Sequence, residues 1–114
     1  MTIDPSKILN EFFSVAVEAV SADRCLPPFL PSPPKGKTLV IGAGKGAASM
    51  AKAVEDNWIG PLSGLVITRY GHGLDLGDIE LVEAGHPVPD EAGAAAADDI
   101  LLRLAGLSED DLVL

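Results

Sequence analysis

The sequence feature that most constrains the fold is an apolar run that leads directly into a glycine turn. Thr38–Ile41 is short and rich in β-branched residues, as is typical of a strand buried on both faces of a parallel sheet. Gly42–Gly46 follows, and an alanine-rich stretch with helix-forming composition then runs from Ala47 to about Asn57. A strand, a glycine turn and a helix in this order predict the first βα unit of an α/β domain.

The same alternation continues along the chain. Further strands are predicted at Gly64–Thr68 and Ile79–Glu83, a helix over Glu91–Leu104 with Asp90 as its N-cap, and a fourth strand that begins at Leu112. We therefore predict a Rossmann-like three-layer α/β/α fold with a mainly parallel sheet in the order 3-2-1-4. The link between the second and third strands is too short for a crossover helix, so the third strand could run parallel or antiparallel to its neighbour.

Residues 1–36 have a different character. Asp4–Pro5 suits the N-cap and first position of a helix, and apolar residues then recur at intervals of three and four. Five prolines lie within Leu26–Pro34, where they exclude a helix or a central strand and predict a stiff, extended connector. We therefore divide the chain into an N-terminal helix with a Pro-rich connector, residues 1–36, and the N-terminal part of a Rossmann-like α/β domain, residues 37–114.

The chain ends at Leu112–Leu114, inside an apolar segment that is typical of a buried strand. Because natural domains rarely stop within a strand, we expect a fragment whose sheet is incomplete at the C-terminus. An incomplete sheet exposes unpaired backbone groups and apolar area. We therefore expect this surface to bind the C-terminal remainder of the parent chain or, in its absence, a second copy in a symmetric homodimer.

The net charge and the apolar content of the chain argue against nucleic acid and membranes as binding partners. The chain has 114 residues and a formal net charge of −9, which argues against nucleic acid because phosphate backbones are held by clusters of Lys and Arg. No apolar run approaches the roughly 18 residues of a membrane span, and the early Asp4 leads us to expect that the N-terminus is not a signal peptide. The single cysteine, Cys25, cannot form an internal disulfide. We therefore expect a cytoplasmic protein that binds neither nucleic acid nor membrane.

The glycine turn is the strongest candidate for chemistry. Gly42, Gly44 and Gly46 allow unusual backbone conformations and let an anion approach the free N–H groups at the start of the following helix. Lys45 adds a cation that suits a phosphate or carboxylate whose terminal oxygens point toward the turn. The alternative is a structural turn whose glycines only permit close packing of the helix on the sheet, but this gives no reason for a lysine inside the turn.

Two known nucleotide-binding patterns fit this turn poorly. Gly42, Gly44 and Ala47 match the relaxed dinucleotide pattern G-x-G-x-x-G/A, yet Thr68–Arg69 replaces the acidic residue expected at the end of the second strand. A Walker A loop is excluded because Gly46, rather than Ser or Thr, follows the lysine. The turn therefore predicts an anion site outside these two classes.

Three further side chains leave the carboxyl ends of predicted strands, which is where ligands bind in parallel sheets. Arg69 and His72 follow the second strand, and Arg69 could clamp a carboxylate or phosphate with two hydrogen bonds. His86 follows the third strand in a turn stiffened by two prolines. The alternatives are solvated side chains on a glycine loop for the first two residues and a hydrogen bond within the turn for His86. The spacing of His and Cys residues matches no metal site.

Three blocks of the sequence resemble one family. Pro34–Lys45, Gly60–His72 and Glu83–Asp90 are similar, in order and spacing, to the N-terminal blocks of the glycerate 2-kinase family, whose members also carry the older name hydroxypyruvate reductase. The resemblance covers essentially the whole of this chain but only an N-terminal portion of a family member.

The resemblance implies an enzyme that phosphorylates D-glycerate at its 2-hydroxyl with ATP and a divalent metal such as Mg²⁺, in a cleft between two α/β domains. Lys45 matches a lysine proposed for the family's active site, and Lys45 and Arg69 suit the charge neutralisation that phosphoryl transfer needs. A partner arginine and a serine–glycine loop would follow Leu114, so we expect the isolated chain to be inactive. Two alternatives stay open. One is an NAD(P)H-dependent hydroxypyruvate reductase, for which the acidic ribose contact is missing, and the other is a non-catalytic Rossmann-like binding module.

Overall fold

The computed structural model describes residues 2–114, which form one sheet of four strands. The strands are β1 Thr38–Ala43, β2 Ser63–Arg69, β3 Ile79–Ala84 and β4 Leu112–Val113. All neighbouring strands pair in parallel, in the order β3-β2-β1-β4. The predicted order is therefore confirmed, and the third strand, whose direction the sequence left open, runs parallel to β2.

Helices cover both faces of this sheet. They are α1 Pro5–Ala19, α2 Ala22–Cys25, a 3₁₀ helix Pro27–Phe29, α3 Ala47–Asn57 and α4 Glu91–Leu104. α3 packs on β1 and β2, with α2 and the 3₁₀ helix against it, while α4 packs on β2 and β3. The crossovers β1–α3–β2 and β3–α4–β4 run in opposite directions along the sheet, so right-handed connections place their helices on opposite faces. The predicted Rossmann-like α/β/α architecture is confirmed.

The core is centred on β2. Leu65 and Val66 are neighbours in this strand, so their side chains point to opposite faces of the sheet, and both are almost completely buried. Gly64 precedes them with φ = +156°, and a Cβ there would collide with the carbonyl oxygen of Val40 in β1. Glycine is therefore required at this position for β1 and β2 to pair.

Glu55 of α3 holds the β2–β3 connection in place. Its carboxylate accepts hydrogen bonds from the N–H groups of Gly77, Asp78 and Ile79 at distances of 3.0, 2.8 and 2.8 Å. Burial alone would raise the pKa of Glu55, but these N–H donors favour the charged carboxylate and hold its pKa below the usual value. The chain can thus return to the start of β2 without a crossover helix.

The N-terminal region differs in part from its prediction. α1 begins behind the predicted N-cap Asp4, whose carboxylate accepts a hydrogen bond from the N–H of Ser6 at 3.0 Å. The proline-rich segment is not wholly extended, however, because Pro27–Phe29 forms a 3₁₀ helix directly after α2. The prediction that prolines exclude a helix here was wrong, since a proline in the first turn of a helix needs no N–H donor. The domain boundary at residue 36 stays a prediction.

α1 stands apart from the rest of the molecule. None of its residues is buried, it lies against α2, and Phe12 and Phe13 are 68% and 70% exposed. The molecule is elongated, with extents of 65 × 35 × 18 Å. Within residues 2–114, no helix combines the length and the apolar character needed to cross a membrane.

Candidate functional site

β1, β2 and β3 end together on one side of the sheet. Ala43 at the end of β1 pairs with Ile67, and Arg69 at the end of β2 pairs with Ala84 at the end of β3. Neighbouring strands are about 4.8 Å apart and β3 extends two residues beyond the level of Ala43, so the loops that follow β1 and β3 start roughly 12 Å from each other. We name this region the carboxyl edge; it comprises residues 43–47, 68–73 and 83–90.

The carboxyl edge contains every side chain that the sequence singles out for binding or catalysis. Lys45 follows β1, Arg69 ends β2 with His72 three residues later, and His86 follows β3. All four side chains are exposed. Lys45 and Arg69 therefore lie at the ends of adjacent strands, whereas His86 lies one strand further from the glycine turn. Their shared location was predicted correctly, and their individual roles stay predictions.

The glycine turn is open on its outer side. Gly44 takes φ = +138°, a conformation that favours glycine, and a Cβ at this position would meet nothing within 4 Å. The N–H of Gly44 donates a hydrogen bond to the carbonyl of Ile67 at 3.0 Å, which ties the turn to β2. Only Gly42 faces the core, where a Cβ would touch Val66 at 3.5 Å. Close packing of helix on sheet therefore accounts for Gly42 but not for Gly44 and Gly46, whose backbone is open to approach from solvent.

The start of α3 presents hydrogen-bond donors beside this turn. Gly46 is the N-cap and provides no side-chain cap, and the Met50 N–H makes the first helical hydrogen bond to the Gly46 carbonyl at 3.0 Å. Among residues 2–114, the N–H groups of Ala48 and Ser49 have no backbone acceptor. Ala48 is buried, but Ser49 is exposed, and a free donor at the positive end of a helix dipole suits an anion.

Lys45 and Arg69 are free cations at the carboxyl edge. Neither makes an ion pair within the part of the chain that the structure describes, whereas the guanidinium of Arg103 on α4 is paired with two carboxylates. The carboxylates of Glu83 and Asp90, which also lie at this edge, accept hydrogen bonds from neutral donors of the chain. The carboxyl edge is formally neutral, with two cations and two carboxylates, but its cations are unpaired and can interact with an anion although the net charge of the chain is −9.

Sequence reasoning missed several contributors to this edge. The Thr68 side chain is 3% exposed, and its hydroxyl has no hydrogen-bond partner in the described residues. The N-cap role of Asp90 is confirmed by a 3.0 Å hydrogen bond from the Gly93 N–H, but its second bond, from the Tyr70 hydroxyl at 2.7 Å, was not foreseen. The sequence also gave no indication that Glu83 of β3 accepts hydrogen bonds from N–H groups of the loop after β2. These contacts join residues 10 to 20 positions apart, so no local pattern indicates them.

The Tyr70–Asp90 hydrogen bond has a defined donor and acceptor at neutral pH. It raises the pKa of the Tyr70 phenol, which keeps the proton on the hydroxyl. The pKa of Asp90 is lowered by hydrogen bonds from the Gly85 N–H, the Tyr70 hydroxyl and the Gly93 N–H. The pair therefore consists of a neutral phenol and a charged carboxylate.

Residues 2–114 contain no group of three or more His, Cys, Asp and Glu side chains that could hold a metal ion. The Mg²⁺ expected from the resemblance therefore finds no ligand set of that kind in this part of the chain. The chemistry that these residues can supply is the binding of anions by cations and N–H donors.

Fold and site together define a class of protein, a Rossmann-like α/β domain with a cationic glycine turn at the carboxyl edge of its first strand. Comparison with known proteins identifies the family within this class. Residues 8–114 match the family described as "Domain of unknown function (DUF4147)". The chain belongs to this family.

The relatives agree with the resemblance in the sequence. A protein of Agrobacterium vitis named as a hydroxypyruvate reductase is 43% identical over 97% of this chain and 26% of its own length. A glycerate 2-kinase of Pyrococcus horikoshii is 43% identical over 69% of this chain and 18% of its own length. The crystal structure of a glycerate kinase from Thermotoga maritima matches with a TM-score of 0.77 at 34% identity, over 94% of this chain and 26% of that one. Membership of the glycerate 2-kinase family is confirmed, and this chain spans about a quarter or less of the length of these relatives.

Proposed function

We propose that this chain is the N-terminal part of a glycerate 2-kinase, which transfers the γ-phosphoryl group of ATP to the 2-hydroxyl of D-glycerate in a cleft between two domains. One observation carries the proposal. Lys45 lies unpaired in an exposed glycine turn, at the start of α3 and at the end of the strand next to Arg69. Phosphoryl transfer depends on positioning and on charge neutralisation, and these are the groups that supply both. The relatives named glycerate kinase support the same assignment.

In this proposal the glycine turn and Lys45 act on the charge of the reacting groups. The N–H donors at the start of α3 and the Lys45 ammonium neutralise negative charge on the transferring phosphoryl group or on the substrate. Such donors stabilise a transition state because they are already oriented where its charge develops. The open backbone of Gly42, Gly44 and Gly46 lets the anion come close to these donors.

The loops after β2 and β3 bind the substrate. Arg69 or His72 orients the carboxylate of glycerate, and a guanidinium suits this role because it makes two parallel hydrogen bonds to a carboxylate. His86 contributes to the same surface from the end of β3. In this proposal ATP would supply the phosphoryl group, and a divalent metal such as Mg²⁺ would help to neutralise the charge of its phosphates.

The residue at the end of β2 favours the kinase over the reductase alternative. A nicotinamide dinucleotide in a Rossmann-like domain is held by an acidic residue at the end of the second strand, which binds the ribose hydroxyls. In this chain β2 ends at Arg69, a cation without an ion-pair partner in residues 2–114. A guanidinium there suits a phosphate or carboxylate better than a ribose hydroxyl.

The rest of the site belongs to the C-terminal remainder of the parent chain in this proposal. This chain spans 26% of the Agrobacterium relative and 18% of the Pyrococcus relative. We expect the remainder to supply the other cleft wall and the metal ligands, so the isolated 114-residue chain should have no activity.

The test is equilibrium binding of ATP, NADH and D-glycerate to the full-length protein, followed by assays for phosphorylated glycerate and for NADH oxidation with hydroxypyruvate. We expect ATP and glycerate to bind and phosphorylated glycerate to form. Hydroxypyruvate-dependent oxidation of NADH would contradict the kinase and establish the reductase. Binding without either reaction would point to the non-catalytic module. ATP-dependent phosphorylation of glycerate by the isolated chain would contradict the proposed division of the site.

A further inference from the structure

The loop after β2 is held by hydrogen bonds to β3 and to the N-terminus of α4. Glu83 of β3 accepts hydrogen bonds on Oε1 from the N–H groups of Gly71 and Gly73, at 3.1 and 3.0 Å. The Tyr70 hydroxyl donates to Asp90 Oδ2 at 2.7 Å, while Asp90 Oδ1 caps α4. β2, from which the loop leaves, and its contacts with β3 and α4 therefore determine where this loop lies.

Two glycines make the contact with Glu83 possible. Gly71 has φ = +80°, in the left-handed region that favours glycine. A Cβ on Gly73 would lie 2.8 Å from Glu83 Oε1 and 3.2 Å from Leu81 Cδ2. The backbone therefore approaches this carboxylate more closely than a residue with a side chain would allow.

The candidate substrate-binding residues, Arg69 and His72, lie at the start of this hydrogen-bonded loop and within it. The carbonyl of Arg69 accepts the N–H of His72 at 3.1 Å, so the two residues are the first and last residues of one closed turn. His72 lies between the two glycines whose N–H groups Glu83 accepts. In residues 2–114 neither Glu83 nor Asp90 makes an ion pair with Arg69, which leaves its guanidinium free for an anion.

We propose that Glu83 and Asp90 are positioning residues that act through the Tyr70–Gly73 loop, holding Arg69 and His72 at the carboxyl edge to receive the carboxylate of the substrate. This inference rests on the proposed kinase function and extends it to residues outside the glycine turn. A loop that is ordered before the substrate arrives loses less conformational freedom on binding, so affinity rises. Loosening it should therefore weaken the binding of glycerate rather than that of ATP.

The experiment uses the full-length protein with Glu83→Ala and Glu83→Gln. Glu83→Ala removes the acceptor, and we expect the KM for glycerate to rise at least about tenfold while the KM for ATP stays unchanged. Glu83→Gln keeps an acceptor oxygen, and we expect it to remain within about threefold of the wild type. Tyr70→Phe removes only a surface hydroxyl and should raise the KM for glycerate by a few-fold, which keeps the test valid if Glu83→Ala does not fold. Glu109→Gln, an exposed acidic position, is the matched control.

Amide hydrogen exchange at Gly71 and Gly73 separates this inference from the proposed function. We expect Glu83→Ala to speed exchange at both amides at least about tenfold, because each loses its acceptor, and Glu83→Gln to leave it near the wild-type rate. Unchanged exchange in Glu83→Ala would overturn the inference whatever the protein's activity. An unchanged KM for glycerate despite faster exchange would reduce Glu83 to a structural role and also overturn it. A wild-type protein that does not phosphorylate glycerate would instead refute the proposed function.

Discussion

The α/β body, residues 37–114, and helix α1 both have regularly spaced apolar residues, but only the body buries them. In the body the apolar strands become the core, and Leu65 and Ile79 are almost fully buried. In α1 the apolar residues recur with helical spacing, yet none is buried, and Phe12 and Phe13 remain exposed. The contrast shows that the spacing of apolar residues indicates whether a helix or strand forms. Whether its apolar face is buried depends on another element packing against that face.

A second uncovered surface lies next to the N-terminal region. An apolar cavity of about 450 Å³ is lined by residues of the 3₁₀ helix, β1 and α3, and Phe29, Met50 and Leu114 are among them. Phe29 is 85% exposed. Apolar area of this kind is typical of an association surface, so the covering of this region by the remainder of the parent chain or by a second copy stays a prediction.

The largest expected difference between the two regions is in stability. Leu65→Ala should lower the free energy of unfolding by about 2–5 kcal/mol, because it leaves a cavity in a fully buried site. Phe12→Ala removes a larger side chain from an exposed site and should change it by no more than about 0.5 kcal/mol. Urea unfolding in dilute solution, followed by Trp58 fluorescence, measures both. Comparable losses in the two variants would show that α1 is packed as part of the body.

Self-association should depend on α1 as well as on the uncovered surface of the body. Replacing Phe12 and Phe13 together by Ser should weaken dimerisation at least about tenfold, or about 1.4 kcal/mol, because exposed aromatic side chains contribute most to such contacts. Sedimentation velocity over a concentration series measures the effect, with Glu11→Ser on the polar side of α1 as control. A wild-type chain that stays monomeric throughout the series would refute the homodimer.

Acid should destabilise the body through Glu55. Burial raises the pKa of this carboxyl, but the N–H donors of the β2–β3 connection outweigh it, so its folded-state pKa lies below its unfolded value. Glu55 therefore contributes stability above the unfolded-state pKa, about 4.3, and loses this contribution as the pH falls through the folded-state pKa. Glu55→Gln should flatten this part of the profile of unfolding free energy against pH, with Glu11→Gln as control. An unaltered profile would mean that the pKa of Glu55 is the same in the folded and unfolded states, which would contradict the prediction.

The sequence was informative where structure is decided locally. The strand order followed from alternating strands and helices, and Asp90 was identifiable as an N-cap because capping involves only the next three residues. The helix at Pro27–Phe29 was missed because proline both ends helices and begins them. The contacts of Tyr70 and Glu83 depend on how β3 and α4 lie beside β2, and no local pattern contains that information.

The central claim is that the body carries the phosphate-binding part of a kinase site, and Lys45→Ala in the full-length protein tests it most directly. The measurement is kcat/KM for glycerate phosphorylation, with Lys35→Ala, an exposed lysine outside the carboxyl edge, as the matched control. We predict a loss of at least about 10²-fold for Lys45→Ala, or about 2.7 kcal/mol of transition-state stabilisation, and no comparable loss for Lys35→Ala. Equal kcat/KM values for Lys45→Ala and the wild type would contradict the claim.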